Sequence, residues 1–445
     1  MEKIDIEEIL ESERENLSKS QFESLIRIIS DISNMSDNDS YKCFITAGAG
    51  YGKTHLTKII LHYLEEFDLI DIVDVFDDSI VGVAPSHKAK DVLSVTLGSD
   101  VNCMTIHRFL GYVLNDNDNP KIDNEGVLEK VGKGLKADVV ILDEVSMVSD
   151  KFLKDIEDRC RILIVLGDKN QLPLIDKKND VEADLSDYNV FELKEQMRQD
   201  NLDSELFKTI NEYKRGIEKG YYVKANPRLN HDDSIVLGNI VSLLVQDEIE
   251  VALAFTNKTV DRINIEVMKG KYGKSDMFVE GIDAVLQAPM FEFESMYDAM
   301  THRYRNKISI VANNGEIVEI LDCVRMYDFD GMDLSEEIEW YAVVISVRGN
   351  VYKKIVNVSN TNLWGVFEEI MEYGILERRD WYDFKYSFIK AKPTFAMTVH
   401  KSQGSTYDKV GVMVSDILNG RCHPDMKNRL MYVALSRAKK QVVVQ

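Results

Sequence analysis

Four short apolar runs punctuate the first half of the chain: KCFITA (42–47), SIVGVA (79–84), ADVVILDE (137–144) and RILIVLGD (161–168). Each is rich in β-branched residues and bounded by turn formers, the pattern of a buried strand. Polar stretches with helical spacing lie between them, such as 53–64 and 88–97. Buried strands separated by helices predict a parallel, doubly wound α/β sheet, because parallel strands need crossover connections that cover both faces. A second set begins at IEVALAFTN (249–257) and closes with KVGVMVS (409–415) and QVVV (441–444). Two such α/β units are therefore predicted, the second interrupted over about 268–392. Within the interruption, ISIVA, GEIVEIL, WYAVVISV and NVYKKIVNV alternate apolar and polar positions, which predicts a small antiparallel barrel or sheet. An aromatic-rich helical piece follows, LWGVFEEIMEYGILERRDWYDFKYSFI.

Composition narrows the class. At 445 residues the chain exceeds one ordinary core and should hold two or three domains. Its 44% hydrophobic and 29% charged content is that of a soluble globular protein. No apolar run approaches the ~20 residues of a membrane span, and the acidic start MEKIDIEEILESEREN lacks the apolar stretch of a secretory signal. Cys43, Cys103, Cys160, Cys323 and Cys422 form no CxxC pair, which argues against zinc or a disulfide framework and fits a reducing cytoplasm. A net charge of -22 weighs against a nucleic-acid partner, since phosphate binding needs gathered Lys and Arg. Much of the acidity, however, sits in the first 40 residues, 65–78 and 116–129, which leaves room for a locally neutral or basic groove.

The chemistry begins where KCFITA runs into AGAGYGKT (47–54) and a helix, the context of a P-loop. Ala47, Gly48, Ala49, Gly50, Tyr51 and Gly52 supply a loop whose backbone N–H groups can converge on phosphate oxygens. Lys53 adds a point charge for the β/γ-phosphates and Thr54 a ligand for Mg2+. Ala47 stands where a first glycine is usual, which alanine tolerates at negative φ. The plain alternative, a Gly-rich turn with a chance GKT, weakens at ILDEVSM (141–147). There an apolar strand ends in two carboxylates, the Walker B pattern: Asp143 to hold Mg2+ through water and Glu144 to polarise the attacking water. A third strand, RILIVLGDKNQLPLI, ends in Gly167-Asp168, and Gln171 beyond that turn can reach a γ-phosphate or its water. Three such strand ends in this order outweigh a turn or helix-cap reading of each, and they predict ATP and Mg2+ as cofactors.

These motifs resemble those of superfamily 1 DNA helicases, most of all their 5′→3′ branch, over nearly the whole chain. Gln21 in LSKSQFESLI is similar to the Q-motif residue that reads adenine. AGAGYGKT, continuing into His55, is similar to motif I, VAPSHKAK (83–90) to Ia, MTIHRFL (104–110) to Ib, LDEVSM to II and GDKNQLPLI to III. ELKEQMR (192–198) resembles motif IV, with Arg198, and AFTNKTVDRIN (254–264) a DNA-contacting segment of a second motor domain. AMTVHKSQGSTYDKV (396–410) resembles motif V, with Gln403 and Gly404 at the nucleotide, and LMYVALSRAKK (430–440) motif VI, with Arg437. TVHKSQG and YVALSRAK are the most specific of these matches. The resemblance implies a hydrolysis set of Lys53, Glu144, Gln171, Arg198 and Arg437, the two arginines reaching the γ-phosphate from separate elements. Arg437 would close the cleft in the ATP state and release it after hydrolysis.

The resemblance also implies a single-strand track of Pro85, Ser86, His87, Thr105, His107, Thr256, Asn257, Thr398 and His400. Hydroxyl, amide and imidazole groups bond phosphate without strong charge, which eases the objection from acidity; a cap or satisfied polar group is the plain reading of each. Residues 112–135 fall where the family carries a hairpin pin that splits the duplex, and Val127 and Leu128 would form an apolar wedge there in place of an aromatic. An acidic surface loop is an equal reading of that segment. Residues 268–357 resemble an SH3-like β-barrel and 358–392 a helical projection that meets the pin. Trp364, Trp381, Tyr382 and Phe384 would anchor that contact or form an ordinary subdomain core. The implied organisation is two RecA-like motor domains, 1–198 and 199–267 with 393–445, carrying these inserts. The implied function is ATP-dependent 5′→3′ unwinding from single-stranded or fork DNA, with DNA-stimulated ATPase activity. The setting would be a bacterial cytoplasm, with no membrane, among replication or single-strand-binding proteins. A P-loop clamp that uses ATP as a switch, an RNA-directed enzyme and a 3′→5′ translocase stay open, since no residue encodes polarity in its own chemistry.

Overall fold

The computed structural model describes residues 10–36, 39–48, 50–70, 78–115, 127–130, 132–173, 181–195, 204–224, 233–273, 276–298, 303–326, 340–357 and 363–445. Strands β1 (Tyr41–Thr46), β2 (Asp78–Ala84) and β3 (Asn102–Thr105) are followed by a short antiparallel hairpin, β4 (Tyr112–Asn115) with β5 (Val127–Lys130). Then come β6 (Ala137–Leu142), β7 (Cys160–Gly167) and β8 (Asn189–Glu192). Hairpin aside, these strands form one sheet in the order β3-β2-β6-β7-β1-β8, every neighbour parallel. The apolar runs are buried on both faces, as a sheet sandwiched by helices requires. Val139 and Ile141 pack against Leu56 and Ile60 of the Lys53–Glu66 helix. Val140 and Leu142 face the other way, toward Leu153 and Ile156 of the Asp150–Glu157 helix. Each such side chain contributes roughly 1.5–3 kcal/mol of transfer free energy.

A second parallel sheet starts with β9 (Ile235–Leu237) and β10 (Val251–Ala254). The chain then leaves it for β11 (Asp283–Leu286), β12 (Met290–Asp298), β13 (Arg303–Ala312), β14 (Ile317–Met326), β15 (Trp340–Val347), β16 (Asn350–Asn357), β17 (Phe388–Ile389) and β18 (Ala391–Pro393). It returns as β19 (Ala396–Thr398), β20 (Tyr407–Val412) and β21 (Ala438–Val444). The second sheet runs β19-β10-β20-β21-β9, again all parallel. The intervening strands form a separate sheet, β17-β16-β15-β14-β11-β18, antiparallel except between β16 and β17, and a two-stranded ribbon of β12 and β13. The two parallel sheets define a first and a second lobe.

The aromatic segment expected to be one helical piece differs from that reading. It is two helices, Leu363–Glu372 and Trp381–Ser387, broken at Gly374 (φ 74) and at the Arg378–Asp380 turn. Its last residues, Phe388 and Ile389, pair with β16 as a strand. Tertiary packing decides this: Phe388 meets Trp340 edge-on with centroids 4.9 Å apart, and Ile389 enters the inserted sheet's core. Trp364 and Trp381 meet at 4.6 Å and cluster with Phe367 and Phe384, so these rings form a subdomain core. Tyr382 stacks on Phe293 of the ribbon at 5.3 Å.

One ion pair ties the first sheet together. Asp138 on β6 exposes 0% of its surface and takes a fork from Arg161 on β7, at 2.7 and 3.0 Å. Removing one partner of a buried pair strands the other charge. Asp138→Ala should lower stability by about 3–5 kcal/mol in urea unfolding, whereas Asp138→Leu with Arg161→Met should recover most of the loss. Equal stabilities for wild type and Asp138→Ala would show the pair to be dispensable.

Candidate nucleotide site and nucleic-acid track

Parallel strands β1, β6 and β7 deliver three loops to one sheet edge. Thr46 pairs with Gly167 and Leu142 with Val165, so the segments beginning at Ala47, Asp143 and Asp168 leave side by side. The loop after β1 turns through Gly50 (φ 86) and Gly52 (φ 75), conformations that favour glycine, and Gly52 caps the Lys53–Glu66 helix. Ala49 lies outside the described residues. Lys53 Nζ donates to the carbonyls of Ala47 (2.7 Å) and Gly48 (3.1 Å), so the lysine curls over its own loop. Thr54 is half-buried and His55 exposed on the first helical turn.

Gln21 is fully buried and committed to the same loop. Its Nε2 donates to the carbonyls of Tyr51 (3.2 Å) and Gly52 (3.4 Å), and its Oε1 accepts the Ser18 amide at 2.9 Å as part of a capping box. Here Gln21 braces the loop backbone with the Nε2 end of its amide while the Oε1 end caps its own helix. Glu195 accepts from Ser18 Oγ (3.0 Å) and from the amide and hydroxyl of Ser20, tying this helix start to the strand exit after β8. Arg198, three residues further on, lies outside the described residues.

The carboxylates follow β6. Asp143 donates its amide to Val83 on β2 and accepts the Glu144 amide at 2.8 Å. Glu144 sits in the left-handed region (φ 53), a conformation costing of order 1–3 kcal/mol for a residue with a side chain. One of its carboxylate oxygens is buried with no hydrogen-bond partner. Burial, followed by the Asp143 charge, pushes the Glu144 carboxyl up to about 7, against the pull of Lys53 and Arg437. Burial raises Asp143 too, opposed by Lys53.

The second lobe closes over this edge. Gln403 Nε2 donates to Gln171 Oε1 at 3.3 Å. Gly404 (φ 72) passes so close that an added Cβ would lie 3.8 Å from Glu144 Oε1. Arg437 is buried, at 3% exposure, and donates to the carbonyls of Val433 and Ser405, both at 3.1 Å, and to Ser436 Oγ at 3.0 Å. Its charge reaches Glu144. Lys53, Glu144, Gln171, Gln403, Gly404 and Arg437 are thus brought into one cleft.

The residues proposed for the track fall into two neighbouring pairs of strand ends. Ala84 pairs with Thr105, placing Pro85–His87 beside Thr105–His107; Ala254 pairs with Thr398, placing Thr256–Asn257 beside Thr398–His400. Most hydroxyls already have local work. Ser86 caps the His87–Leu97 helix, Thr105 caps Ile106–Phe109, and Thr256 caps Asn257–Tyr272 while also bonding Asp416. Thr398 accepts the Lys401 amide, and Asn257 is exposed. His87, His107 and His400 are half-buried, and burial lowers the pKa of each, so they present neutral rings at pH 7. His107 meets Phe152 (5.4 Å) and Tyr112 (6.3 Å) edge-on at the root of the β4–β5 hairpin. Val127 and Leu128 pair with Asn115 and Leu114 in that hairpin, whose tip lies outside the described residues.

Sequence reading passed over Arg429, Tyr432 and Asp168 as contact residues, although all three lie in or beside its motifs. The available signal was spacing: Arg429 and Tyr432 stand one turn apart on the Pro424–Leu435 helix, just ahead of Arg437.

Fold and site together define a two-lobed P-loop nucleotidase of the helicase type, one lobe carrying the loop and carboxylates and the other an arginine. Residues 34–177 match the family model of an AAA domain, and residues 393–445 that of a UvrD-like helicase C-terminal domain. The ATP-dependent DNA helicase dda of Enterobacteria phage T4 is 26% identical over 438 residues, covering 89% of this chain and 93% of that one. An uncharacterised protein of Acanthamoeba polyphaga mimivirus is 25% identical over 264 residues, 54% of this chain and 46% of that one. Among solved structures, a Pif1 helicase from Bacteroides in complex with ADP-AlF3 and ssDNA aligns with a TM-score of 0.44 and 17% identity, covering 94% and 91% of the two chains. The chain is thus similar to a DNA helicase over most of its length, and its last segment to a helicase C-terminal domain.

The raised Glu144 pKa has a stability consequence with a definite sign. Because its folded value, about 7, lies above the ordinary 4.5, the folded state holds the proton more tightly than the unfolded chain. Stability from this group is full below the ordinary value and is lost as pH rises through about 7. Glu144→Gln should therefore melt above wild type at pH 8, with the gap narrowing toward pH 5. A gap that does not change with pH would mean Glu144 carries no such burden.

Proposed function

We propose that this chain is an ATP-driven DNA helicase that moves 5′→3′ along single-stranded DNA and opens duplex ahead of it. The observation that carries the reading is the Glu144 carboxylate. It has a buried oxygen without a partner and a raised basicity, and it lies between the P-loop lysine of one lobe and the Arg437 charge of the other. A structural carboxylate would be paired; a base that must take a proton from water needs one free oxygen and a pKa near working pH.

The residues present fit Mg2+–ATP. The lobe-1 edge gathers a left-handed glycine turn, a lysine whose amine now bonds only loop carbonyls, and two desolvated carboxylates. The loop from Ala47 to Gly52 and Lys53 would hold the phosphates, and Thr54 with Asp143 the metal. Bound, the nucleotide supplies the bond that is cleaved and the metal offsets its charge. Glu144, ionised, accepts the proton of the attacking water. Gln171 orients that water, Arg437 and Arg198 steady developing charge, and Gln403 and Gly404 line the second wall. Gln21 reads adenine only on exchanging its loop contacts, which makes it a link between base recognition and loop shape.

The reading extends to organisation: RecA-like units at 1–198 and at 199–267 with 393–445, a pin within 112–135, an SH3-like barrel at 268–357 and a helical projection at 358–392. The two pairs of strand ends would grip a strand on either side of the cleft, largely through backbone, imidazole and amide groups. Single-stranded and fork DNA are the proposed partners, with replication or single-strand-binding proteins, in a host cytoplasm. Among the described residues no helix is long and apolar enough to cross a membrane.

Two matched duplexes, one with a 5′ tail and one with a 3′ tail, test the motor and its direction together. Opening of only the 5′-tailed duplex, abolished in Lys53→Ala, is expected; opening of only the 3′-tailed one would reverse the polarity. ATP hydrolysis without opening of either would favour a translocase or a clamp. A second expectation concerns pH. Because Glu144 must be ionised to act, kcat/KM for ATP should climb with pH and level off above about 7. Glu144→Gln should hydrolyse at least about 100-fold more slowly, the scale of general-base loss. Near wild-type turnover in that variant would assign the base elsewhere.

A further inference from the structure

The turn after β7 is gripped from the second lobe by one helix face. Arg429 and Tyr432 stand three residues apart on the Pro424–Leu435 helix and so are surface neighbours. Arg429 Nη1 donates to the carbonyls of Lys169 (2.9 Å) and Gln171 (2.8 Å), while Asp425 fixes its Nε at 2.9 Å. Tyr432 Oη donates to Asp168 Oδ2 at 2.7 Å, and both residues expose only 3%. Asp168 in turn orders the turn itself: its Oδ1 accepts the Asn170 amide at 2.9 Å and its carbonyl the Gln171 amide at 3.1 Å. The same tyrosine hydroxyl lies against the P-loop, since a Cβ added to Gly48 would sit 2.9 Å from it. One hydroxyl from the second lobe therefore touches both strand ends that frame the phosphate site.

We propose that Arg429 and Tyr432 are positioning residues, a clasp that sets Gln171 and bears on the P-loop when the lobes come together. The inference rests on the hydrolytic reading above. A hydrogen bond to a carboxylate buried away from water is strong and directional, so the lobes cannot separate without breaking it or dragging the turn along. Arg437 is part of the same body, because its Nε donates back to Val433 on that helix. Movement of the helix thus shifts the turn's grip, the P-loop contact and the arginine as one unit. The motion that DNA imposes on the second lobe then reaches the water-orienting glutamine without a separate relay.

Tyr432→Phe keeps the ring and deletes only the hydroxyl. With saturating single-stranded DNA its kcat should fall about tenfold, the scale of one hydrogen bond to a charged group, while KM for ATP shifts less than about twofold. A residue that merely packs would not give that split. Arg429→Gln, on a partly exposed side chain, should reproduce the kcat loss with an unchanged melting temperature. Wild-type kcat in Tyr432→Phe or unaltered kcat in Arg429→Gln overturns the clasp. A wild-type chain that hydrolyses no ATP overturns the hydrolytic reading itself, whereas an active wild type with indifferent variants removes only the clasp.

Discussion

A single desolvated carboxylate sets the terms for the rest of the structure. Glu144 is held in left-handed backbone at the end of β6, with its charge disfavoured by burial and by Asp143 and favoured by Lys53 and Arg437. Neither lobe supplies that balance alone. The first contributes the strain, the neighbouring acid and the lysine; the second contributes the arginine and the glycine that lets its backbone pass. A parallel sheet makes such convergence possible, because all its strands end at the same edge and each loop can bring one group there. The buried Asp138–Arg161 fork fastens the far ends of β6 and β7, and two-sided apolar packing holds the strands that run from there to the edge.

Much of this was legible in the sequence, for reasons that can be named. The apolar runs at 137–144 and 161–168 are rich in β-branched residues, and burial on both faces of a parallel sheet suits such runs. Asp143, Glu144 and Gln171 follow those runs directly, so their meeting at one edge is a consequence of parallel pairing. What could not be read is choice of partner. Phe388 and Ile389 look like the end of a helix by local pattern and become a strand because Trp340 and the inserted core take them. Gln21 carries the right amide for a base, but its amide is shared between Ser18 and the carbonyls of Tyr51 and Gly52, contacts made across about 30 residues of chain. Tyr432 sat inside a quoted motif yet gave no sign of its role, since the role exists only once Asp168 and Gly48 are beside it.

The acidity of the chain also looks different in three dimensions. At net -22, lysines and arginines in a strand track would be partly neutralised by nearby carboxylates instead of left free for phosphate. The proposed track residues instead include three imidazoles kept neutral by burial and hydroxyls that cap helices. Capping fixes the helix N-termini at Ser86, Thr105 and Thr256, and a helix start presents backbone N–H groups that favour anions. In the proposed track the hydroxyls would act on a phosphate indirectly, by holding amides in place. Asp416 is the exception, since it takes the Phe255 and Thr256 amides for itself.

Weak, neutral contacts suit a machine that must release its substrate as often as it binds it. Tight electrostatic binding would deepen every position along the strand equally and slow each step without adding direction. Direction needs a difference between states, so the strong interactions belong where the lobes meet and the weak ones where the strand passes. The structure divides them in this way. A charge-assisted, buried bond joins Tyr432 to Asp168 and the Arg437 charge acts on Glu144, while exposed or neutral groups line the strand ends. Under the proposed function, a cleft governed by a few strong bonds would have two well-separated arrangements, and nucleotide chemistry at Glu144 would choose between them.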